Sequence, residues 1–223
     1  MSDYTDQGYA AELGEIRQRL IGMAARVEAM IGQSIKVFLA HDPLQAKETI
    51  LSDHKINQDE IDLDSLCLQL LARRQPMASD LRFITTALKM VTDLERVGDL
   101  AVNICERAIG LASHSPLGEY RDISKMAEMA QAMVKDSIDA FIDADVDKAE
   151  KTIQRDDEVD DLYTVVFRDV LRIMLADSSK IEPGIQVQSV AKFLERMADH
   201  ATNLSEEVIY MVRGTDVRHE GKL

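Results

Sequence analysis

The sequence predicts an all-α protein: two tandem, pseudo-symmetric three-helix up-down-up bundles, six long helices in all. Three observations carry this. Hydrophobic residues make up 46% of the 223 positions, aromatics only 4%, with no Trp and four Pro, a mixture that favours helices and is ample for a packed core. Apolar residues recur in steps of three and four over long stretches, the signature of helices packed as in a bundle. Finally, LERVGDLAVN at 94–103 returns as LERMADHATN at 194–203, so one unit is written twice.

The elements follow in order. Leu13, Ile16, Leu20, Met23, Val27, Met30, Ser34 and Val37 form the stripe of a first helix ending near His41. Asp42 before Pro43 reads as an N-cap with Pro in the first turn, opening a second helix that runs to about Ala72, where RRQP breaks it. Phe83, Ala87, Met90, Leu94, Val97, Ala101, Ile104 and Ala108 give a third helix to about Ile109. The linker GLASHSPLGEY, rich in Gly, Ser and Pro, divides the halves, so the repeats are assigned to residues 1–112 and 113–223. The second half is expected to hold helices over about 121–144, 146–176 and 183–212. In the last of these, core positions Leu194, Met197, Ala201, Leu204 and Val208 each lie one hundred residues after their counterparts, Leu94 to Ala108. Short connectors make successive helices antiparallel neighbours.

With Leu94 and Val97 facing the core, Glu95, Asp99, Asn103 and Glu106 share an outer stripe, and Glu195, Asp199, Asn203 and Glu206 repeat it. Like charges at i and i+4 disfavour a helix by roughly 0.2–0.5 kcal/mol per pair, so a doubled occurrence asks for an explanation. Counting back from the turns near Gln75 and Ser178 brings Asp53 and Asn57 level with the first pair, and Asp156 and Asp160 level with the second. Oxygen-only ligands from neighbouring helices suit hard cations, such as Mg, Mn, Fe or Ca ions, divalent or trivalent. One carboxylate metal site per half is therefore expected at Glu95, Asp99 and Asp53 and at Glu195, Asp199 and Asp156. Asn103, Asn203, Asn57 and Asp160 are the outlying members of the two sets. The other reading is a solvated charged face, countered by Lys89, Arg96, Lys192 and Arg196.

Other classes fall away. A formal charge of −14 with no dense basic run repels a nucleic-acid backbone. No stretch approaches the roughly 20 apolar residues that span a bilayer, and the N-terminus lacks a signal-peptide pattern, which predicts a cytoplasmic chain. Cys67 and Cys105 sit in helical patterns as small buried apolar residues. No histidine follows a Glu by three, as a di-iron bundle needs, and His200 reads as a solvated neighbour of Asp199 rather than an auxiliary ligand. No nucleophile elbow, phosphate-cradling glycine loop or zinc-protease helix is present, so the chain is not expected to be an enzyme.

ARRQPMASDLRFITTALKMVTDLERVGDLAVNI at 72–104 resembles the signature segment of the PhoU family of bacterial phosphate-signalling regulators. LERMADHATNLSEEVIYMVRGTDVR at 194–218 resembles that family's second copy, and ELGEIRQRLIGMAARVEAMI at 12–31 its first helix. The second copy departs by carrying Ala198 where Gly98 stands in the first. The resemblance implies paired three-helix bundles and metal binding at the Glu95/Asp99 and Glu195/Asp199 pairs. It also implies a cytoplasmic adaptor and negative regulator of the phosphate-starvation response, commonly a homodimer. Such an adaptor links the ATPase subunit of the phosphate ABC transporter to a sensor histidine kinase and restrains uptake when phosphate is plentiful. The rival readings are a carboxylate-bridged metal-binding or storage bundle without a signalling role, and a purely structural bundle. In the signature SDLR, Asp80 and Arg82 are expected to cap and brace the start of the third helix.

Overall fold

The computed structural model describes residues 2–118 and 120–217, with side chains from residue 8 onward; Arg218, the last residue of the family-like C-terminal segment, lies outside them. Among these residues there are α-helices and one 3₁₀ turn but no strand. The helices are α1 (Ser2–Ala40), α2 (Pro43–Ser52), α3 (His54–Arg74), α4 (Ala78–Leu111), α5 (Arg121–Asp143), α6 (Val146–Gln154), α7 (Asp156–Ala176) and α8 (Ile181–Arg213), with the 3₁₀ turn at Ser178–Lys180 before α8.

The plan of six rods holds, but the second and fifth rods are each broken in two. At the first break Asp53 N bonds to Ile50 O at 3.2 Å and Ile56 N to Asp53 O at 2.8 Å; at the second, Arg155 N bonds to Thr152 O at 3.1 Å. These i to i−3 bonds replace one turn of α-helical bonding by a tighter one. The N-cap expected at Asp42 is formed, its Oδ1 accepting from the N–H groups of Leu44 at 3.0 Å and Gln45 at 3.1 Å. Asp145 repeats the device, Oδ1 accepting from Lys148 N at 3.0 Å.

Burial reproduces the duplication residue by residue. Leu20, Met23, Val27, Met30, Ser34 and Phe38 in α1 are matched 103 positions on (20 to 123, 38 to 141) by Ile123, Met126, Ala130, Met133, Ser137 and Phe141 in α5. Ile56, Leu63 and Cys67 in α3 are matched at the same offset by Val159, Val166 and Val170. From α4 to α8 the offset falls to one hundred, because the connector 75–77 has no counterpart and the 3₁₀ turn replaces the first turn of α4. The expectation for the cysteines is met: Cys67 and Cys105 are free and buried, and burial pushes each thiol up to about 12.

The apolar residues of both copies form one continuous core. Helices α4 and α8 pack antiparallel along its centre, shown by contacts in opposite order: Arg82 Nε to Met211 O, Lys89 Nζ to Glu207, Asp93 to His200 and Arg107 to Gln186. Helix α1 lies beside α5, and the broken rods flank this centre, α2 and α3 against α4, and α6 and α7 against α8. Arg82 thus braces the end of α8 rather than its own helix start, and Asp80 stands in the first turn of α4, whose N-cap Met77 makes no side-chain cap. His200 is partly buried rather than solvated, its Nδ1 2.8 Å from Asp93 Oδ1 in the other copy.

Candidate carboxylate centres

Each break delivers an aspartate to a repeated pair. Asp53 stands at the α2/α3 junction, facing α4 where Gly98 lets it approach: a Cβ built on Gly98 would lie 3.4 Å from Asp53 Oδ1. Asn57 Nδ2 donates to Asp53 Oδ2 at 2.9 Å, which fixes the carboxylate's orientation. Burial raises the Asp53 pKa, and the charge of Asp99 adds to it, against the Asn57 hydrogen bond. Glu95 is raised by burial and then by Asp99, with Glu60 and Asp53 contributing and Arg96 opposing. Burial, Asp64 and Asp99 raise Glu60 in turn. Asp53, Glu60, Glu95 and Asp99 are therefore one electrostatic unit.

The second centre is its counterpart. Asp156 opens α7, and its carboxyl is pushed up to about 6 by burial first, then by the charges of Asp199, Asp160, Asp157 and Glu195. Burial and Glu195 raise Asp160, while Lys192 lowers it. So the residues picked from the sequence do gather: Glu95, Asp99, Asp53 and Asn57 in one place, Glu195, Asp199, Asp156 and Asp160 in the other.

Three features differ from expectation. The paired glutamates are not on an open face, since the side chains of Glu95 and Glu195 are only 13% and 12% exposed under the flanking rods. Asn103 and Asn203 lie one turn further along and make no hydrogen bond among the described residues, while Glu106 pairs with Arg107 on its own helix at 3.3 Å. Glu60 belongs to the first centre although it was not picked out; Asp53, Asn57 and Glu60 at i, i+4 and i+7 were the available signal. Of the expected counter-charges, Arg96 contacts Glu95 at 3.4 Å and Asp99 at 3.1 Å, and Lys192 contacts Glu195 at 2.5 Å, whereas Lys89 reaches Glu207 instead.

Among the described residues, no three His, Cys, Asp or Glu side chains converge as a ready-made metal cage. The donor chemistry nonetheless fits a hard cation. Asp53 Oδ1, Asn57 Oδ1 and Glu195 Oε2 are buried with no hydrogen-bond partner, and Glu95 Oε2 has only the Arg96 ion pair at 3.4 Å, a costly state for acceptor oxygens; the neighbouring carboxylates are desolvated like charges that a cation would neutralise.

Fold and centres define a class: a tandem-repeat α-bundle with a carboxylate cluster at the broken outer rod of each copy, and no helix among the described residues long and apolar enough to cross a membrane. The PhoU domain model matches residues 20–108 and again 123–208, and the chain belongs to the PhoU family. It is 40% identical over 223 residues to a phosphate-specific transport system accessory protein PhoU homolog of Pseudomonas putida, covering 99% of this chain and 87% of that one. A homolog of the same name from Aquifex aeolicus is 39% identical over 209 residues, covering 94% and 95%. The crystal structure of PhoU from Pseudomonas aeruginosa superposes with a TM-score of 0.89 at 37% identity, over 93% of this chain and all, 100%, of that one. That of the phosphate transport system regulatory protein PhoU from Streptococcus pneumoniae gives 0.87 at 28% identity, over 94% and 99%. The family is one of accessory and regulatory proteins, not of enzymes.

Proposed function

We propose that this chain is a cytoplasmic negative regulator of the phosphate-starvation response. It is an adaptor that joins the ATPase subunit of a phosphate ABC transporter to a sensor histidine kinase and restrains uptake when phosphate is plentiful. The observation that carries the reading is kinship along the whole chain with proteins named as phosphate-transport accessories. Each copy acts as a unit within residues 1–112 and 113–223, and the adaptor works as a homodimer.

The carboxylate centres are its cation sites. Glu95, Asp99 and Asp53, with Asn57 and Glu60 beside them, hold one ion; Glu195, Asp199 and Asp156, with Asp160, hold the other. When bound, the ion supplies positive charge that relieves the repulsion among desolvated carboxylates. The protein's part is to deliver those oxygens: the breaks at Asp53 and Arg155 aim the aspartates, Gly98 and Ala198 keep the paired helix face low, and Asn57 orients Asp53. Asp99, with a side chain 42% exposed, has the room to turn inward. An ion so held ties the outer rod to the central helix and fixes the surface that a partner reads.

Binding measurements test the adaptor role. The full chain, loaded with Mn²⁺, is expected to bind the purified ATPase subunit and the detergent-solubilised kinase. Absence of affinity for both contradicts the proposal and leaves a metal-holding bundle.

A further inference from the structure

The two centres differ at a pair of facing positions. By the offset that aligns Ile56 with Val159 and Cys67 with Val170, Glu60 of the first copy answers to Tyr163 of the second. By the one-hundred-residue offset of α4 and α8, Thr92 answers to Lys192. In the first copy these positions give a carboxylate inside the cluster and a hydroxyl that donates to its own helix, Thr92 Oγ1 to Leu88 O at 3.3 Å. In the second they give an ammonium and an aromatic ring that meet: Lys192 Nζ lies 2.5 Å from Glu195 Oε1 and 5.3 Å from the Tyr163 ring centroid. The Lys192 charge is within reach of Asp160 and Asp199 as well. Among the described residues the first centre is countered by Arg96 alone, which reaches Glu95 Oε2 at 3.4 Å and Asp99 Oδ2 at 3.1 Å; the second copy carries Arg196 at that position as well, so Lys192 is the additional cation.

We propose that Lys192 is a built-in surrogate cation of the second centre, so that the first centre is the tight site for a hard divalent ion and the second accepts one only when the ammonium is displaced. This rests on the cation reading given above. Chemically, the ammonium already supplies part of the positive charge that an ion would bring, and Tyr163 holds it there by a cation–π contact while removing the carboxylate that Glu60 provides in the other copy. An incoming ion must break that pair first, so its net gain is smaller. The two copies then load over different concentration ranges, which gives one chain a graded response to a single ion.

The test is a Mn²⁺ titration of the full chain, read as free Mn²⁺ by electron paramagnetic resonance, on wild type, Lys192→Thr and Glu95→Gln, with thermal melts to establish that each variant folds. Wild type is expected to bind one Mn²⁺ tightly and a second about fivefold more weakly, the scale of one partly exposed charge pair. Lys192→Thr brings the second site to the affinity of the first, and Glu95→Gln removes the tight site and leaves the weak one. Two equal sites in wild type, or a weak site unmoved by Lys192→Thr, overturn the proposal while leaving the cation reading intact. No bound Mn²⁺ in wild type and in Lys192→Thr overturns both.

Discussion

Asn57 Nδ2 donates to Asp53 Oδ2 at 2.9 Å from one helical turn away, and Asp53 Oδ1 is left buried with no hydrogen-bond partner. An acceptor oriented in this way and then left unmet favours a cation over the empty site. Saturating Mn²⁺ is expected to raise the melting temperature of wild type by about 5–10 °C, for a ligand near one hundred times its Kd and a chain of this size. Asp53→Asn keeps the shape of the site and loses the first centre's share of that shift, leaving that of the second. Differential scanning calorimetry with and without Mn²⁺ measures it, and an Asp53→Asn variant with an undiminished shift contradicts the assignment.

Asp156 predicts a pH dependence. Its carboxyl is pushed up to about 6, by burial first and then by Asp199, Asp160, Asp157 and Glu195, so the native state holds a proton that the unfolded chain has already released. Below about pH 3 both states are protonated and the group has no effect on stability. Between about pH 3 and 7 the native state is destabilised progressively, and above that the penalty is complete. Asp156→Asn is therefore expected to stabilise the metal-free protein by about 1 kcal/mol at pH 7.5, discounted for solvent screening, and by almost nothing at about pH 3. Urea unfolding at the two pH values checks this.

Lys89 and Glu207 join the two copies, Nζ lying 2.8 Å from Oε1 and 3.0 Å from Oε2. The Glu207 side chain is 7% exposed while that of Lys89 is 43% exposed, so the two partners are unequal. Lys89→Met removes this countercharge from a buried carboxylate and is expected to cost about 1–3 kcal/mol. Glu207→Gln leaves the lysine in water and costs less. Denaturant midpoints of the two variants give the order.

Gly98 is the close-approach point of the first centre, and the second copy fills the same position with Ala198, fully buried. Gly98→Ala places a methyl 3.4 Å from Asp53 Oδ1 and from Ile56 Cδ1, an ordinary contact, and removes a glycine from a helix interior. A gain of about 0.5–1 kcal/mol is expected, whereas Gly98→Leu pushes Asp53 away and abolishes Mn²⁺ binding at that centre. Chemical denaturation and Mn²⁺ titration of the two variants test the pair.

Much of this was legible in the sequence because the information was local. Leu94 to Ala108 set the inward face of α4, the same positions one hundred residues on set that of α8, and Asp42–Pro43 announced a helix start that the Asp42 carboxylate caps. The breaks at Asp53 and Arg155 were not legible. Asp53 has φ −59° and ψ −31°, ordinary right-handed helix values, so no Gly or Pro was needed and none marks the place. Burial of Glu95 was missed for a related reason: its helix face is polar, and only the tertiary position of α3 covers it. Glu60 escaped because it acts on α4 from α3, a relation that spacing along one helix cannot express; Lys192 was expected as a counter-charge and pairs with Glu195 on its own helix, but its contact with Tyr163 of α7 was hidden for the same reason. His200 was misplaced because its partner, Asp93, lies in the other copy.

The most direct measurement is a phosphate-starvation reporter in phosphate-rich medium. It compares a strain lacking this protein with strains carrying wild type, Glu95→Gln/Asp99→Asn, or that variant combined with Glu195→Gln/Asp199→Asn. A regulator working through its carboxylate centres gives a reporter that is on in the deletion, off with wild type, and progressively restored to the on state as first one centre and then both are neutralised. A reporter that stays off in the deletion contradicts the regulatory account, and one that all the variants repress as wild type does removes the centres from it.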